Sequence, residues 1–240
     1  MNDRRKEFLE KILADLVPTY DLRTVMDVGC GVGYFSNVLA LMGLDVEAFD
    51  GRYENVAEAR NRYPEISFKL CDIEDMGVCE LEPRDLVLCF GLLYHLENPF
   101  RAIRNLSLLT KKFLIIESMV APFEKPIAVF VDETHTADQA LNYVALVPSE
   151  NGFVKMLYKA GFVSVFKAQE LPEHEEFKES MSYKRRRGIF IGSKLDVSIP
   201  NFMKLTESTA PDLWKKKFGQ EAQRFIRILK RSIRLKVQSV

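Results

Sequence analysis

Between Val25 and Ser36 the chain runs V-M-D-V-G-C-G-V-G-Y-F-S, placing Asp27 ahead of Gly29, Gly31 and Gly33 at every second position. Glycines at that spacing let a backbone turn sharply out of a strand and let a ligand approach it closely. The dinucleotide fingerprint G-x-G-x-x-G is not met, because its last position falls on Tyr34 or Ser36. Further side chains suited to chemistry follow apolar runs: Asp50, then Asp72 and Ile73 in C-D-I-E-D, then Phe90, Tyr94 and His95 in D-L-V-L-C-F-G-L-L-Y-H-L-E-N-P. His95 ionises near neutrality and suits a general base, with a loop residue packing on the next helix as the alternative. Tyr94, Tyr34 and Phe90 offer π-surface to a cation, or simply wall a cleft. The run F-V-D-E-T-H-T-A-D, Phe130 to Asp138, gathers Asp132, Glu133, His135 and Asp138. Without H-x-H or comparable spacing it is expected to be a solvated acceptor-binding lid carrying His135, with no metal.

These residues need elements to hold them. Apolar spacing predicts a leading helix over residues 4–16, ended by Pro18. Then come strand 24–28, helix 34–42, strand 44–49, helix 53–63, strand 66–71, strand 85–90, helix 99–109 and strand 113–117. Strands alternating with helices predict an α/β, doubly wound, mostly parallel sheet, here of seven strands. A less regular acceptor-side insertion spans 119–147; helix 149–160, strand 162–168 and a last strand from Arg187 to Ser193 follow. The last two strands leave no room for a helical crossover, so they are expected to form an antiparallel edge hairpin. Domain boundaries are drawn at 1–20 for the leading helix, 21–195 for the main domain and 196–240 for a tail. Within the tail, Asp212 to Lys236 carries Trp214, Phe218, Ala222, Phe225, Leu229 and Ile233 on one stripe, the pattern of an amphipathic helix.

Apolar residues at 47% and charged residues at 28% exclude a disordered or fibrous chain. Formal net charge is zero, but from Pro211 onward nine Lys or Arg face only Asp212 and Glu221, leaving the tail at +7. Such a tail is either a solvated basic face or a contact for nucleic acid or anionic lipid. The charged start lacks a signal peptide's apolar core, and the longest apolar run, Leu86 to Leu96, is too short to span a bilayer, so a cytoplasmic protein is expected. Cys30, Cys71, Cys79 and Cys89 show no C-x-x-C spacing and support neither a disulfide framework nor a zinc site.

The Asp27, Gly29, Gly31, Gly33 motif resembles the first motif of class I S-adenosylmethionine-dependent methyltransferases, D/E-x-G-x-G-x-G. The resemblance covers roughly Val25 to Ile191 in order and spacing. It implies S-adenosylmethionine as cofactor, S-adenosylhomocysteine as product, and a glycine loop around the amino acid part of the cofactor. Asp50 is then expected at the ribose hydroxyls, or else as a helix cap. Asp72 is expected near the adenine amino group with Ile73 lining the ring, Asp75 competing and a plain turn role remaining open. Phe90 closes the fourth strand beside the same ligand. Methyl transfer from a sulfonium is an in-line displacement needing mainly alignment, so no fixed catalytic residue is required. His95 and Tyr94 are the catalytic candidates for a hydroxyl acceptor.

Within that superfamily, Tyr94-His95, the run from Pro148 to Phe162 and the basic lead into the last strand resemble the tRNA wobble-uridine carboxymethyltransferases. Those enzymes use carboxy-S-adenosylmethionine, whose extra carboxylate is held by a tyrosine after the fourth strand and an arginine at the last. Tyr94 and Arg187 fall at those places, and an arginine fork suits a planar carboxylate. Those enzymes also carry a longer amino-terminal region than the two dozen residues here. O-methyl transfer to a small metabolite or sugar is therefore the first expectation. Carboxymethyl transfer to tRNA, with the basic tail as an RNA contact, is the second, and a non-catalytic partner subunit the third. The tail also suits a homodimer element.

Overall fold

The computed structural model describes residues 1–75, 81–133, 144–178 and 186–207. The amphipathic tail helix, His135, Asp138 and Cys79 lie outside the described residues. Among the described residues, five α-helices and ten strands follow in chain order: α1 (Asn2–Tyr20), β1 (Thr24–Val28), α2 (Tyr34–Leu41), β2 (Asp45–Asp50), α3 (Tyr53–Arg62), β3 (Ser67–Leu70), β4 (Arg84–Phe90), α4 (Pro99–Leu109), β5 (Thr110–Val120), β6 (Ala128–Asp132), β7 (Val144–Pro148), α5 (Glu150–Lys159), β8 (Ser164–Ala168), β9 (Arg186–Ser193) and β10 (Phe202–Leu205).

The main sheet has the order β10-β8-β9-β5-β4-β1-β2-β3. Strands β3, β2, β1, β4 and β5 run parallel, while β9 is antiparallel to both β5 and β8. Alternation across the pleat builds two cores. In β4, Leu86 and Leu88 point to the face covered by Leu9 and Leu13 of α1 and Leu39 of α2. Val87 and Cys89 point to the other, with Ile103 and Leu106 of α4 and Phe153 and Leu157 of α5. The chain order reverses between β1 and β4, the switch point at whose carboxyl ends such sheets bind ligands.

Five expectations need correction. The sheet has eight strands rather than seven, because Phe202–Leu205 pairs with β8. Strands β8 and β9 are antiparallel, yet β9 lies inside the sheet and β10 takes the edge. Pro18 does not end α1, which continues to Tyr20 and stops at Asp21 in a left-handed conformation whose N–H reaches Val17 O. Pro18 lacks the N–H that would bond the Ala14 carbonyl, a loss of one intrahelical hydrogen bond that the last turn absorbs. The described part of the insertion is more regular than expected: β6 and β7 form a separate antiparallel hairpin sheet. At its base, Ser149 Oγ accepts from Ile127 N and Gly152 N and donates to Lys125 O at 2.6 Å. The cysteines also divide, since Cys30 and Cys89 are buried free thiols whereas Cys71 is disulfide-bonded, which spacing alone did not reveal.

Candidate functional site

At the end of β1 the chain passes through Gly29, Gly31 and Gly33 with φ of 70°, 53° and 84°. A Cβ at Gly33 would lie 2.9 Å from Phe68 Cζ and 3.0 Å from Tyr63 Cδ2, so packing demands glycine there. At Gly31 a Cβ would meet nothing within 4 Å. The loop is therefore closed on its core side at Gly33 and open at Gly31, as a backbone needs to be where a ligand approaches it. Asp50, ending β2, accepts from the Gly31 N–H at 2.9 Å, the Arg52 N–H at 2.9 Å and Asn55 Nδ2 at 3.0 Å. Its carboxylate thereby ties the second strand to the glycine loop. Asp27 is buried beneath the loop and accepts from Ser36 Oγ at 2.6 Å. Burial pushes its carboxyl up to about 6, against the Ser36 hydrogen bond, and the nearby Asp50 charge adds to the rise.

Asp72 lies just beyond β3 and accepts from the Glu74 N–H, a turn contact. Ile73 is buried within the apolar cluster shared with α4, and its carbonyl accepts from Asn105 Nδ2. Phe90 packs edge-on against Phe35 at 5.3 Å. Beyond it, a single 3-10 turn carries Tyr94 and His95 with their rings 4.1 Å apart and tilted by 45°. His95 Nδ1 lies 3.1 Å from Glu133 Oε2, the residue after β6. The hairpin is tied to this turn by a second bond, from the Leu146 N–H to Leu96 O at 2.9 Å.

Because β9 runs opposite to β5, its first residues, rather than its last, reach the carboxyl edge of the parallel strands. Arg187 sits there, opposite Met119. Its Nη1 donates to Glu117 at 3.0 Å, Nη2 to the Tyr94 hydroxyl at 3.0 Å and Nε to Glu176 at 2.5 Å, with the guanidinium 4.9 Å from the Tyr94 ring centre. Burial lowers the Arg187 pKa, but Glu117 and Tyr94 more than offset it, so the group stays above the usual arginine value. Burial likewise raises the Tyr94 phenol.

Three members of this cluster escaped the sequence reading, Glu176 among them. Glu117 is fully buried, and its other oxygen accepts from Arg5 of α1 at 2.5 Å. Arg5 is itself buried, 5.0 Å from the Phe35 ring and 5.4 Å from that of Phe90, with Nε unpaired. A Cβ at Gly91 would come 3.1 Å from Arg5 Nη2, so glycine there makes room for the guanidinium. A signal existed: Arg5, Leu9, Ile12 and Leu16 share one helical stripe, and an arginine on an apolar stripe asks for a buried partner. The structure thus brings together Asp27, Asp50 and the glycine loop, and separately Tyr94, His95 and Arg187. No helix among the described residues is long and apolar enough to cross a membrane.

Comparison with known proteins agrees with this geometry. A family model described as a methyltransferase domain matches residues 21–223. The tRNA U34 carboxymethyltransferase of Desulfotalea psychrophila is 26% identical over 172 residues, covering 68% of this chain and 51% of that protein. The ubiquinone biosynthesis O-methyltransferase of Bordetella avium is 27% identical over 115 residues, 46% of each chain. The chain spans about half the length of these curated relatives. Among solved structures, the amino-terminal domain of EvdMO1 with S-adenosylhomocysteine bound superposes with a TM-score of 0.61 at 17% identity, covering 79% of both chains. Magnesium protoporphyrin IX methyltransferase from Synechocystis PCC 6803 with bound S-adenosylmethionine gives 0.53 at 23%, covering 79% and 80%. With the fold shared and the family model spanning most of its length, the chain belongs to the methyltransferase domain family, and the cofactor its glycine loop led us to expect is the one held by these structural neighbours.

Proposed function

We propose that the chain transfers the methyl group of S-adenosylmethionine to an oxygen of a small hydroxylated metabolite or sugar. The glycine loop and Asp50 would hold the cofactor, while Tyr94 and His95 would face the acceptor. The intact Asp27, Gly29, Gly31, Gly33 and Asp50 set favours this over a non-catalytic subunit. The observation that carries methyl over carboxymethyl transfer is the occupation of Arg187. All three of its nitrogens already donate, two of them to the carboxylates of Glu117 and Glu176. A further carboxylate brought to Arg187 would meet two like charges, an arrangement that disfavours ionisation.

A second reading has its own support. Tyr94 and Arg187 are joined at 3.0 Å, the pair expected to hold the extra carboxylate of carboxy-S-adenosylmethionine, and several relatives are named tRNA U34 carboxymethyltransferase. On that reading Glu176, 46% exposed in its side chain, would withdraw to free a nitrogen for the cofactor, and tRNA would be the acceptor. Mass spectrometry of ligands retained by the protein purified from cells separates the two. S-adenosylmethionine or S-adenosylhomocysteine supports methyl transfer, and the carboxylated form replaces it with the second reading.

A further inference from the structure

We infer that Glu133 is a positioning residue that fixes the tautomer of His95 and so prepares its Nε2 as a base for hydroxyl acceptors; the inference rests on the methyl-transfer reading above. An ionised carboxylate only accepts hydrogen bonds, so the contact at 3.1 Å places the proton on Nδ1 and leaves the lone pair of the neutral ring on Nε2. Both partners are shielded, the His95 side chain being 15% exposed and that of Glu133 7%. Asp132, next to it, is exposed, so of these two neighbouring carboxylates burial marks Glu133.

The ring is held from several directions. The His95 N–H donates to Leu92 O at 2.9 Å, closing the turn. The Tyr94 ring lies against the imidazole, and the Leu146 to Leu96 hydrogen bond fixes the hairpin that delivers Glu133. A catalytic imidazole oriented by a carboxylate on its far nitrogen is the arrangement that selects one tautomer and stabilises the imidazolium as it forms.

The step this serves is balanced. The acceptor O–H bond breaks and its proton passes to His95 Nε2 as the oxygen bonds to the methyl carbon. The carbon–sulfur bond of the sulfonium breaks, and its electron pair returns to sulfur to give the thioether. The charge gained by the imidazole then lies against the Glu133 carboxylate. Positive charge therefore moves from sulfur to a group already paired with a counter-charge.

The test uses the full chain labelled with 15N-histidine, which contains three histidines, with His95 assigned from the His95→Gln variant. Nitrogen spectra of the neutral ring are compared for wild type, Glu133→Ala and Glu133→Gln, with S-adenosylhomocysteine affinity measured by calorimetry for each. The wild-type ring is expected as the Nδ1–H tautomer. Glu133→Ala should change the tautomer ratio about ten-fold or more toward Nε2–H, the size of a lost hydrogen bond to a charged group. Glu133→Gln, whose amide oxygen still accepts, should retain Nδ1–H, with affinity within about two-fold in both variants. An Nε2–H ring in the wild type overturns the inference without any variant, and so does an unchanged ratio in Glu133→Ala. Absence of S-adenosylhomocysteine binding by the wild type would overturn the methyl-transfer reading instead, leaving the tautomer result to stand or fall alone.

Discussion

Replacing Asp27 by asparagine removes a buried charge while keeping its shape and an oxygen able to accept from Ser36. Burial raises the Asp27 carboxyl from 3.8 to about 6. The sign follows from linkage. The folded state binds this proton more tightly than the unfolded chain, so the contribution is fully present below pH 4 and is lost as pH rises through about 6. A difference of about two pKa units corresponds to about 3 kcal/mol. Near pH 4 wild type and Asp27→Asn should have similar stability, and by pH 7.5 the variant should gain about 3 kcal/mol relative to wild type. Urea unfolding without cofactor, in a series of buffers from pH 4 to 8, reads this as a separation of midpoints that opens over that range. Titration of groups remote from Asp27 is common to both proteins and cancels in the difference. A separation constant with pH would refute the argument that Asp27 is ionised at the expense of the fold, and the cost would then have to be absent or borne by another group.

Asp50→Ala should weaken S-adenosylhomocysteine binding by about 1 to 3 kcal/mol in calorimetry, the range for hydrogen bonds to a charged group; unchanged affinity would remove Asp50 from the site. Gly33→Ala should cost about 2 to 5 kcal/mol in urea unfolding, because overpacking against Phe68 and Tyr63, about 1 to 3 kcal/mol, adds to the left-handed backbone term of about 1 to 2 kcal/mol that its φ of 84° also carries. Gly31→Ala, with open space at its Cβ, should cost only the left-handed backbone term of about 1 to 2 kcal/mol and lose cofactor affinity instead. Equal stability losses in the two glycine variants would contradict this division. Glu117→Gln should destabilise by about 3 kcal/mol, because it leaves Arg5 and Arg187 buried against a neutral group; a loss below about 0.5 kcal/mol would mean the cluster is solvated rather than sealed.

Much of the parallel half of the sheet was legible because each apolar run ends where a glycine or acidic residue begins, as at Val28 to Gly29 and Phe49 to Asp50. Ser149 and Gly161 likewise framed α5. The missed elements lack such contrast. Strand β6 is mostly exposed or half-buried, and β10 alternates Phe202 and Leu205 with exposed Met203 and Lys204, so neither presents a buried run. The glycine turn after β1 and the acidic end of β2 could be read from local pattern, whereas the hydrogen bond that joins them, Gly31 N–H to Asp50, spans 19 residues. The contacts of Tyr94 with Arg187 and of Glu117 with Arg5 span 93 and 112 residues, and no local pattern reports which strand end meets which helix. Glu133 was only one of four side chains noted between Phe130 and Asp138, and its partner His95 comes from the turn after β4, visible only once β6 is seen beside it.

The knot of bonds at Ser149 concentrates the seating of a whole sheet in one atom. Its buried hydroxyl clasps both feet of the hairpin to the start of α5. Removing that oxygen would leave the Ile127 and Gly152 N–H groups and the Lys125 carbonyl without their partner at a single stroke, so one side chain sets how β6 and β7 join the rest of the domain.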